Sequence, residues 1–126
     1  MPFHSTHKTV LASRRFSLCW LDKKDLRGVE YLSSHSGKES EDKLDSAGLK
    51  HHRGRKLDVP VIDSAVAAVE CSLARTLKFG DHEFLVGRVE AAYATEDFRE
   101  YWEFKSYAPI LYTGWRNGLT TLELHG

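Results

Sequence analysis

The stretch "VAAVECSLARTLKFGDHEFLVGRVEAAY" (residues 66–93) decides the fold, because two strand-like runs flank a short turn. Apolar and polar residues alternate through the first run, which predicts a long half-buried strand. We expect one face to carry Val69, Cys71, Leu73, Leu77 and Phe79, and the other to carry Glu70, Ser72, Thr76 and Lys78. The connection Gly80-Asp81-His82 then predicts an antiparallel hairpin.

Two residues of the second run stand out. Gly87, inside the predicted strand, indicates a bulge or a close approach of another part of the chain. His82 stands at the turn, where the pattern alone favours an ordinary exposed residue. The alternation therefore supports the hairpin and assigns no chemistry to the histidine.

Length and composition bound the class of protein. The chain has 126 residues, which predicts a single domain over 1–126, with 41% apolar and 29% charged residues. Its formal net charge is +0, so nucleic acid and anionic membranes are not expected as partners. No apolar run reaches the roughly 20 residues that span a bilayer, and no signal peptide is recognisable, so we expect a cytoplasmic protein. Cys19 and Cys71 lie far apart in apolar stretches, which favours buried thiols over a disulfide.

The flanking segments predict short helices and further strands. Helical patterns cover 5–13, 23–35 (capped by Asp22), a short stretch before Gly48, and 95–107 (capped by Thr95). Strand patterns cover 15–21 and 109–115, the latter continued past an Asn117-Gly118 turn signal, while 49–60 is expected to be a loop. The predicted fold class is mainly β with short helices, an α+β arrangement with antiparallel strands.

Few motifs carry chemistry on their own. His4 and His7, like His51 and His52, lack partner ligands at zinc-site spacing, so no metal is expected. The basic loop "HHRGRK" (51–56) is best read as solvated, with a local phosphate contact as the alternative. The chain has no GxSxG, Walker A or GxGxxG motif. The stretch "STHKT" (5–9) combines hydroxyls, a lysine and a helix start, which suits a phosphate, although an ordinary helix cap explains it as well.

Five segments in order resemble the flavin reductase-like, FMN-binding split-barrel family. They are "HKTVLASRRFSLCWLD", "SGKESEDKL", "VPVIDSAVAAVEC", "GDHEFLVGRVEAAY" and "PILYTGW", and the matching positions run from about His7 to Gly114. The pair "VEC" and "GDHEFLVGRV" in this spacing is the specific part of the resemblance.

The resemblance implies an antiparallel split β-barrel that forms a homodimer, with FMN, or FAD in some members, near the dimer interface. It also implies NAD(P)H as reductant and, where present, a redox partner protein. Ser5, Lys8 and Thr9 match the stretch that meets the flavin phosphate, and Ser36 and Gly37 match a turn near the cofactor. His82 matches the histidine that lies near the nicotinamide or flavin ring, which makes it the candidate catalytic residue.

The chain also departs from the family pattern. Strands that normally precede the "HKT" segment have no counterpart, so we expect an N-terminally truncated barrel. The segment 95–108 is longer and more aromatic than the family's. Two functions follow: a flavin reductase-like oxidoreductase passing hydride from NAD(P)H to flavin for a downstream acceptor, or a non-catalytic, degenerate flavin-binding module with a structural or interaction role.

Overall fold

The computed structural model describes residues 5–35, 40–98, 107–113 and 118–121. Three short helices and seven strands occupy these ranges. The helices are α1 (Ser5–Ser13), α2 (Leu26–Ser34, entered through a 3-10 turn at Lys23–Asp25) and α3 (Ser40–Ser46). The strands are β1 (Arg15–Trp20), β2 (His51–Arg53), β3 (Pro60–Ile62), β4 (Ala67–Phe79), β5 (His82–Ala94), β6 (Ile110–Tyr112) and β7 (Leu119–Thr121).

The predicted hairpin is confirmed as the centre of the fold. Strands β4 and β5 pair antiparallel over their whole length, and β1 adds to the other edge of β4, giving the order β1-β4-β5. Gly80 forms the turn with a φ of 62°, a left-handed conformation that glycine adopts without strain. The pairs β2–β3 and β6–β7 form two smaller antiparallel sheets. The mainly β class is thus confirmed, and the sheets of the described residues do not close on themselves.

Two bulges interrupt the hairpin and change which side chains share a face. One shift lies between Glu70 and Cys71, the other between Leu73 and Arg75, where Ala74 is an extra residue. The expectation that Leu77 and Phe79 share a face with Leu73 is therefore wrong. Leu73 pairs with Gly87, whereas Leu77 pairs with Phe84, and these two positions of β5 point to opposite faces.

Gly87 has the close approach that its place in a strand predicts. A Cβ atom on this residue would lie 2.6 Å from the Phe16 ring and 3.1 Å from Cβ of Cys71. The glycine therefore lets the Phe16 side chain of β1 lie across β4 and close to the backbone of β5. The helix that precedes β1 is held to the same region, because Arg14 accepts a backbone hydrogen bond from Leu73 (2.8 Å).

A cluster of buried residues lies on one face of the three-stranded sheet. Val59 and Val61 pack there on Ala68, and three half-buried side chains surround them: Cys19, Leu57 and Tyr93. The cluster's sheet residues lie directly opposite one another in neighbouring strands and therefore share a face: Cys19, Ala68 and Tyr93. The segment that runs through β2 and β3 therefore covers this face.

The segments that precede β4 agree with the predictions in part. Helix α1 and strand β1 lie where predicted, and the end of α3 is followed by Gly48 at φ 73°. The expected loop over 49–60 contains strand β2, since His51–Arg53 pair with Pro60–Ile62. Asp22 does not cap the next helix with its side chain. Its carboxylate instead accepts the backbone N–H of Ala108 at 2.8 Å.

The C-terminal predictions are tested only in part. Strands β6 and β7 pair antiparallel, as the Asn117-Gly118 signal predicts, although Asn117 itself lies outside the described residues. Of the helix expected over 95–107, residues 95–98 form a turn, and 99–106 lie outside the described residues. Both cysteines are free thiols, with Cys71 buried and Cys19 half-buried. No helix in the described ranges is long and apolar enough to cross a bilayer.

Candidate functional site

A pocket of about 260 Å³ lies between α1, the start of β1 and the residues that lead into β3. Thr6, Thr9 and Ser13 face it from α1, because positions three and four apart share one side of a helix. Ser17 adds a fourth hydroxyl from β1, and the opposite wall is formed by residues 58–60. We call this cavity the hydroxyl pocket.

The charges around the hydroxyl pocket are arranged in pairs. Arg15 reaches Asp58 at its wall, donating from Nε to the backbone carbonyl at 2.9 Å and lying 3.7 Å from the carboxylate. Arg53 lies 3.1 Å from the other oxygen of the same carboxylate. Two guanidinium groups thus face one carboxylate, and the excess positive charge favours an anion in the pocket.

The predicted phosphate-contact residues differ in whether they line this pocket. Thr9 lines it. Lys8 is exposed on the same helix and is not among the lining residues. Helix α1 begins at Ser5, whose side chain lies outside the description, and Ser36 and Gly37 lie outside the described residues altogether.

His82 occupies the first position of β5, at the tip of the hairpin. Its side chain is 76% exposed and lies 3.5 Å from the carboxylate of its neighbour Asp81. Phe79, across the turn, packs edge-on against Phe84 with ring centroids 5.5 Å apart. The histidine lines neither the hydroxyl pocket nor the apolar cleft described next.

A second, larger cavity adjoins the hydroxyl pocket. This apolar cleft has a volume of about 490 Å³ and shares Ser17 and Pro60 with its neighbour. Aromatic rings contribute much of its surface, from Trp20, Tyr107 and Tyr112. Such a surface suits a flat apolar group, whereas the hydroxyl pocket suits a charged one.

Glu70 is the buried polar group that sequence reasoning missed. Its side chain is 0% exposed, although strand alternation places it on the polar side of β4. The carboxylate accepts the backbone N–H groups of Arg55 (2.7 Å), Lys56 (2.9 Å) and Leu57 (2.8 Å) and the Tyr93 hydroxyl (2.7 Å). The signal that could have identified it is the glycine of "HHRGRK", since a turn of consecutive N–H groups can enclose an anion.

The basic loop is therefore wrapped around an internal carboxylate. A Cβ atom on Gly54 would lie 2.5 Å from Oε1 of Glu70, so only glycine fits there. The Arg55 guanidinium lies 4.0 Å from the centroid of the Tyr93 ring, in a cation–π contact. The alternative reading of this loop as a phosphate contact does not extend to these N–H groups, because Glu70 occupies them.

The titration of this cluster follows from its hydrogen bonds. Burial raises the pKa of Glu70, but the donors from Leu57, Tyr93, Lys56 and Arg55 outweigh it and lower the pKa to about 2. Burial, followed by the bond to Glu70 and its charge, raises the pKa of Tyr93 to about 12. The carboxylate therefore stays charged and the phenol stays protonated at neutral pH.

Two of the histidines considered as metal ligands lie beside single carboxylates. His7 lies 2.6 Å from the Glu83 carboxylate, and His52 lies 2.5 Å from Asp63. No group of three or more potential metal ligands occurs in the described part of the chain.

Comparison with known proteins places these features in a family. Residues 1–114 match the model of the family described as flavin reductase like domain. A protein of Aeropyrum pernix is 35% identical over 114 residues, covering 90% of this chain and 43% of that protein. The chain therefore spans less than half the length of this relative.

Two solved structures share the fold. Flavoredoxin of Desulfovibrio vulgaris (Miyazaki F) has a TM-score of 0.81 at 19% identity, covering 99% of this chain and 68% of that chain. The FMN-binding protein of Thermus thermophilus with bound p-hydroxybenzaldehyde has a TM-score of 0.75 at 31% identity, covering 99% of this chain and 67% of that one.

Proposed function

Because the chain belongs to the flavin reductase-like family, we propose that it is an FMN-binding oxidoreductase. In this proposal NAD(P)H delivers a hydride to the flavin, and a downstream acceptor or redox partner protein takes up the electrons. A bound flavin supplies the capacity to accept a hydride and release electrons singly or in pairs. The protein's own task is to bind and orient the two rings.

The hydroxyl pocket is the observation that carries the proposal. The Thr6 and Thr9 hydroxyls and a nearby guanidinium offer hydrogen-bond donors, which a phosphate requires, and no Walker motif is needed. The Ser13 and Ser17 hydroxyls donate to backbone carbonyls instead. We assign Thr6 and Thr9 to the phosphate, with Arg15 contributing positive charge at the wall. Ser5 and Lys8, in the first turn of α1, remain the other proposed phosphate contacts.

The apolar cleft supports a ligand that joins a charged end to a flat ring. It borders the hydroxyl pocket at Ser17 and Pro60, and FMN has this combination of groups. The Thermus thermophilus relative, at 31% identity, is named as FMN-binding and holds p-hydroxybenzaldehyde. FMN is therefore the proposed cofactor, and FAD is the flavin to compare with it.

The role of His82 depends on a second subunit in this proposal. The residue is exposed at the hairpin tip and lines neither cavity, so a partner chain must bring it to a ring. Exposed apolar side chains on the hairpin and β1, among them Leu18 (50%) and Val89 (56%), favour such a homodimer. Sedimentation velocity of the purified protein should give twice the chain mass, and a monomer at every concentration would remove this role for His82.

Binding is tested first, by titrating the protein with FMN and following flavin fluorescence. Thr9→Val removes one hydroxyl from the pocket and should weaken FMN binding about ten-fold, as expected for a hydrogen bond to a charged group. Thr76→Val is the matched control, because Thr76 is exposed on β4 and lines no wall of the pocket. If the unaltered protein leaves flavin fluorescence unchanged at high FMN, the proposed function is wrong.

Reduction is tested next, by anaerobic bleaching of bound FMN with NADH and with NADPH. His82→Ala should slow bleaching more than it weakens FMN binding, because we place the histidine beside the reacting rings. Equal losses in both measurements would refute that placement. FMN binding without bleaching by either nucleotide would favour the second candidate, a non-catalytic flavin-binding module, which the open sheets of the described residues also suit.

A further inference from the structure

We infer that Glu70 is a positioning residue that holds the wall of the hydroxyl pocket in place and so sets the preference for phosphorylated over unphosphorylated flavin. This inference rests on the proposed function. It assigns a role to a residue that touches no cavity of the candidate site.

Glu70 is hydrogen-bonded to the loop between β2 and β3. Three consecutive backbone N–H groups, those of residues 55–57, point at one carboxylate. They enclose it as a loop would enclose a bound anion. Gly54 completes the enclosure, since a side chain there would meet Oε1 of Glu70 at 2.5 Å.

The pocket wall follows this loop directly in sequence and is hydrogen-bonded to it. The N–H of Val59 donates to the Leu57 carbonyl at 2.9 Å, and the Val59 carbonyl accepts from Gly54 at 2.8 Å. Asp58, Val59 and Pro60 then face the pocket. The wall is thus the continuation of the turn that Glu70 organises.

Two hydrogen bonds from β1 hold the pocket wall in place. Arg15 donates to the Asp58 carbonyl at 2.9 Å, and the Ser17 hydroxyl donates to the Pro60 carbonyl at 2.5 Å. Both side chains also line the pocket. A shift of the loop would therefore move Arg15 and Ser17, and through them the donors offered to a phosphate.

The chemistry of the site requires a carboxylate. An ionised carboxyl is acceptor-only, so it can serve the three N–H groups and the Tyr93 hydroxyl at once. An amide of the same shape has one acceptor oxygen and turns an NH₂ group towards the remaining donors. Glu70→Gln therefore tests the inference without changing the volume of the side chain.

The affinities of FMN and riboflavin decide the question, because the two differ only by the phosphate. In Glu70→Gln we expect the ratio of FMN to riboflavin affinity to fall at least five-fold, while riboflavin affinity stays within two-fold. Amide exchange at Gly54 and Val59 should accelerate at least ten-fold, as their hydrogen bonds lie beyond those of Glu70 itself. A purely structural role would weaken both ligands equally.

Glu90→Gln is the matched control. Glu90 is also a glutamate of the same hairpin, and it bonds to the Ser72 hydroxyl and pairs with Lys56 (3.2 Å), but it accepts none of the three loop N–H groups. The affinity ratio and the exchange rates should stay as in the unaltered protein. An equal change in both variants would overturn the role of Glu70.

The unaltered protein gives a second measurement, which keeps the inference testable if Glu70→Gln does not fold. Saturation with FMN should slow exchange of the Arg55, Lys56 and Leu57 amides, since a ligand on the wall stabilises the turn behind it. Riboflavin should not slow it. Equal protection by both ligands, or by neither, would overturn the inference. Failure of the unaltered protein to bind any flavin would overturn the proposed function instead.

Discussion

The two ends of the β4–β5 hairpin differ in almost every respect. At the base, Glu70 is fully buried and held by four hydrogen bonds from three backbone groups and a phenol. At the tip, His82 is mostly exposed beside the exposed rings of Phe79 and Phe84. Both residues belong to the same family-like stretch, yet one organises the chain and the other faces outward.

The two residues are therefore expected to differ in how they affect the protein. The buried carboxylate can act only through its neighbours, so its removal should disturb folding and the pocket wall together. The exposed histidine contacts little of its own chain, so its removal should leave folding intact. Variants at the two ends should therefore have effects of very different size.

The largest effect is expected from Glu70→Leu. Three backbone N–H groups and the Tyr93 hydroxyl would lose their buried acceptor, which we expect to lower the free energy of unfolding by about 3–4 kcal/mol. Urea denaturation followed by tryptophan fluorescence measures it. A loss under about 1 kcal/mol would mean that water replaces the carboxylate and that the base of the hairpin is no more constrained than its tip.

Acid should reproduce much of this loss in the unaltered protein. The pKa of Glu70 is lowered from 4.5 to about 2, so its stabilising contribution is present above pH 4.5 and disappears as the pH falls towards 2. The loss amounts to about 3 kcal/mol for this group. Urea denaturation at several pH values gives the free energy of unfolding as a function of pH. Its decrease between pH 4.5 and 2 should be smaller in Glu70→Gln than in the unaltered protein. An identical decrease in both proteins would assign the acid sensitivity to other carboxyls.

Gly54→Ala should have an intermediate effect. The added Cβ would lie 2.5 Å from Oε1 of Glu70 and 2.6 Å from the Leu57 carbonyl oxygen, so the loop must move. We expect a loss of about 2 kcal/mol in the free energy of unfolding. Gly28→Ala is the comparison, because its Cβ would meet only the flexible end of Leu49, at 2.8 Å, and should cost less. Equal costs would show that the loop tolerates displacement.

The smallest effect is expected from His82→Ala. The side chain is 76% exposed, so the free energy of unfolding should change by less than about 0.5 kcal/mol. Thermal unfolding at neutral pH measures it. A larger loss would mean that the tip is packed in the protein in solution, and the contrast between the two ends would then vanish.

The sequence predicts the parts of the fold that depend on local periodicity. Alternation identifies β4, the turn signal after it identifies the hairpin with β5, N-cap residues identify α1, and Gly87 marks a close approach. Alternation fails at Glu70, because it assigns every polar position of a strand to solvent, whereas a loop from elsewhere in the chain covers this one. Thr9 is the predicted site residue found at the pocket, and the wall opposite it could not be foreseen, since hydrogen bonds distant in sequence build it.

The extra residue Ala74 has a consequence for the direction of the tip. Every cross-strand pair from Arg75 to Phe79 would remain possible without it, because the strand would continue in regular alternation from Leu73. What the inserted residue adds is a kink and a stronger local twist. Where the hairpin points in space is thus decided by a methyl-bearing residue with no chemistry of its own. Deleting Ala74 would re-aim the tip while leaving both its composition and its anchoring at the base unchanged.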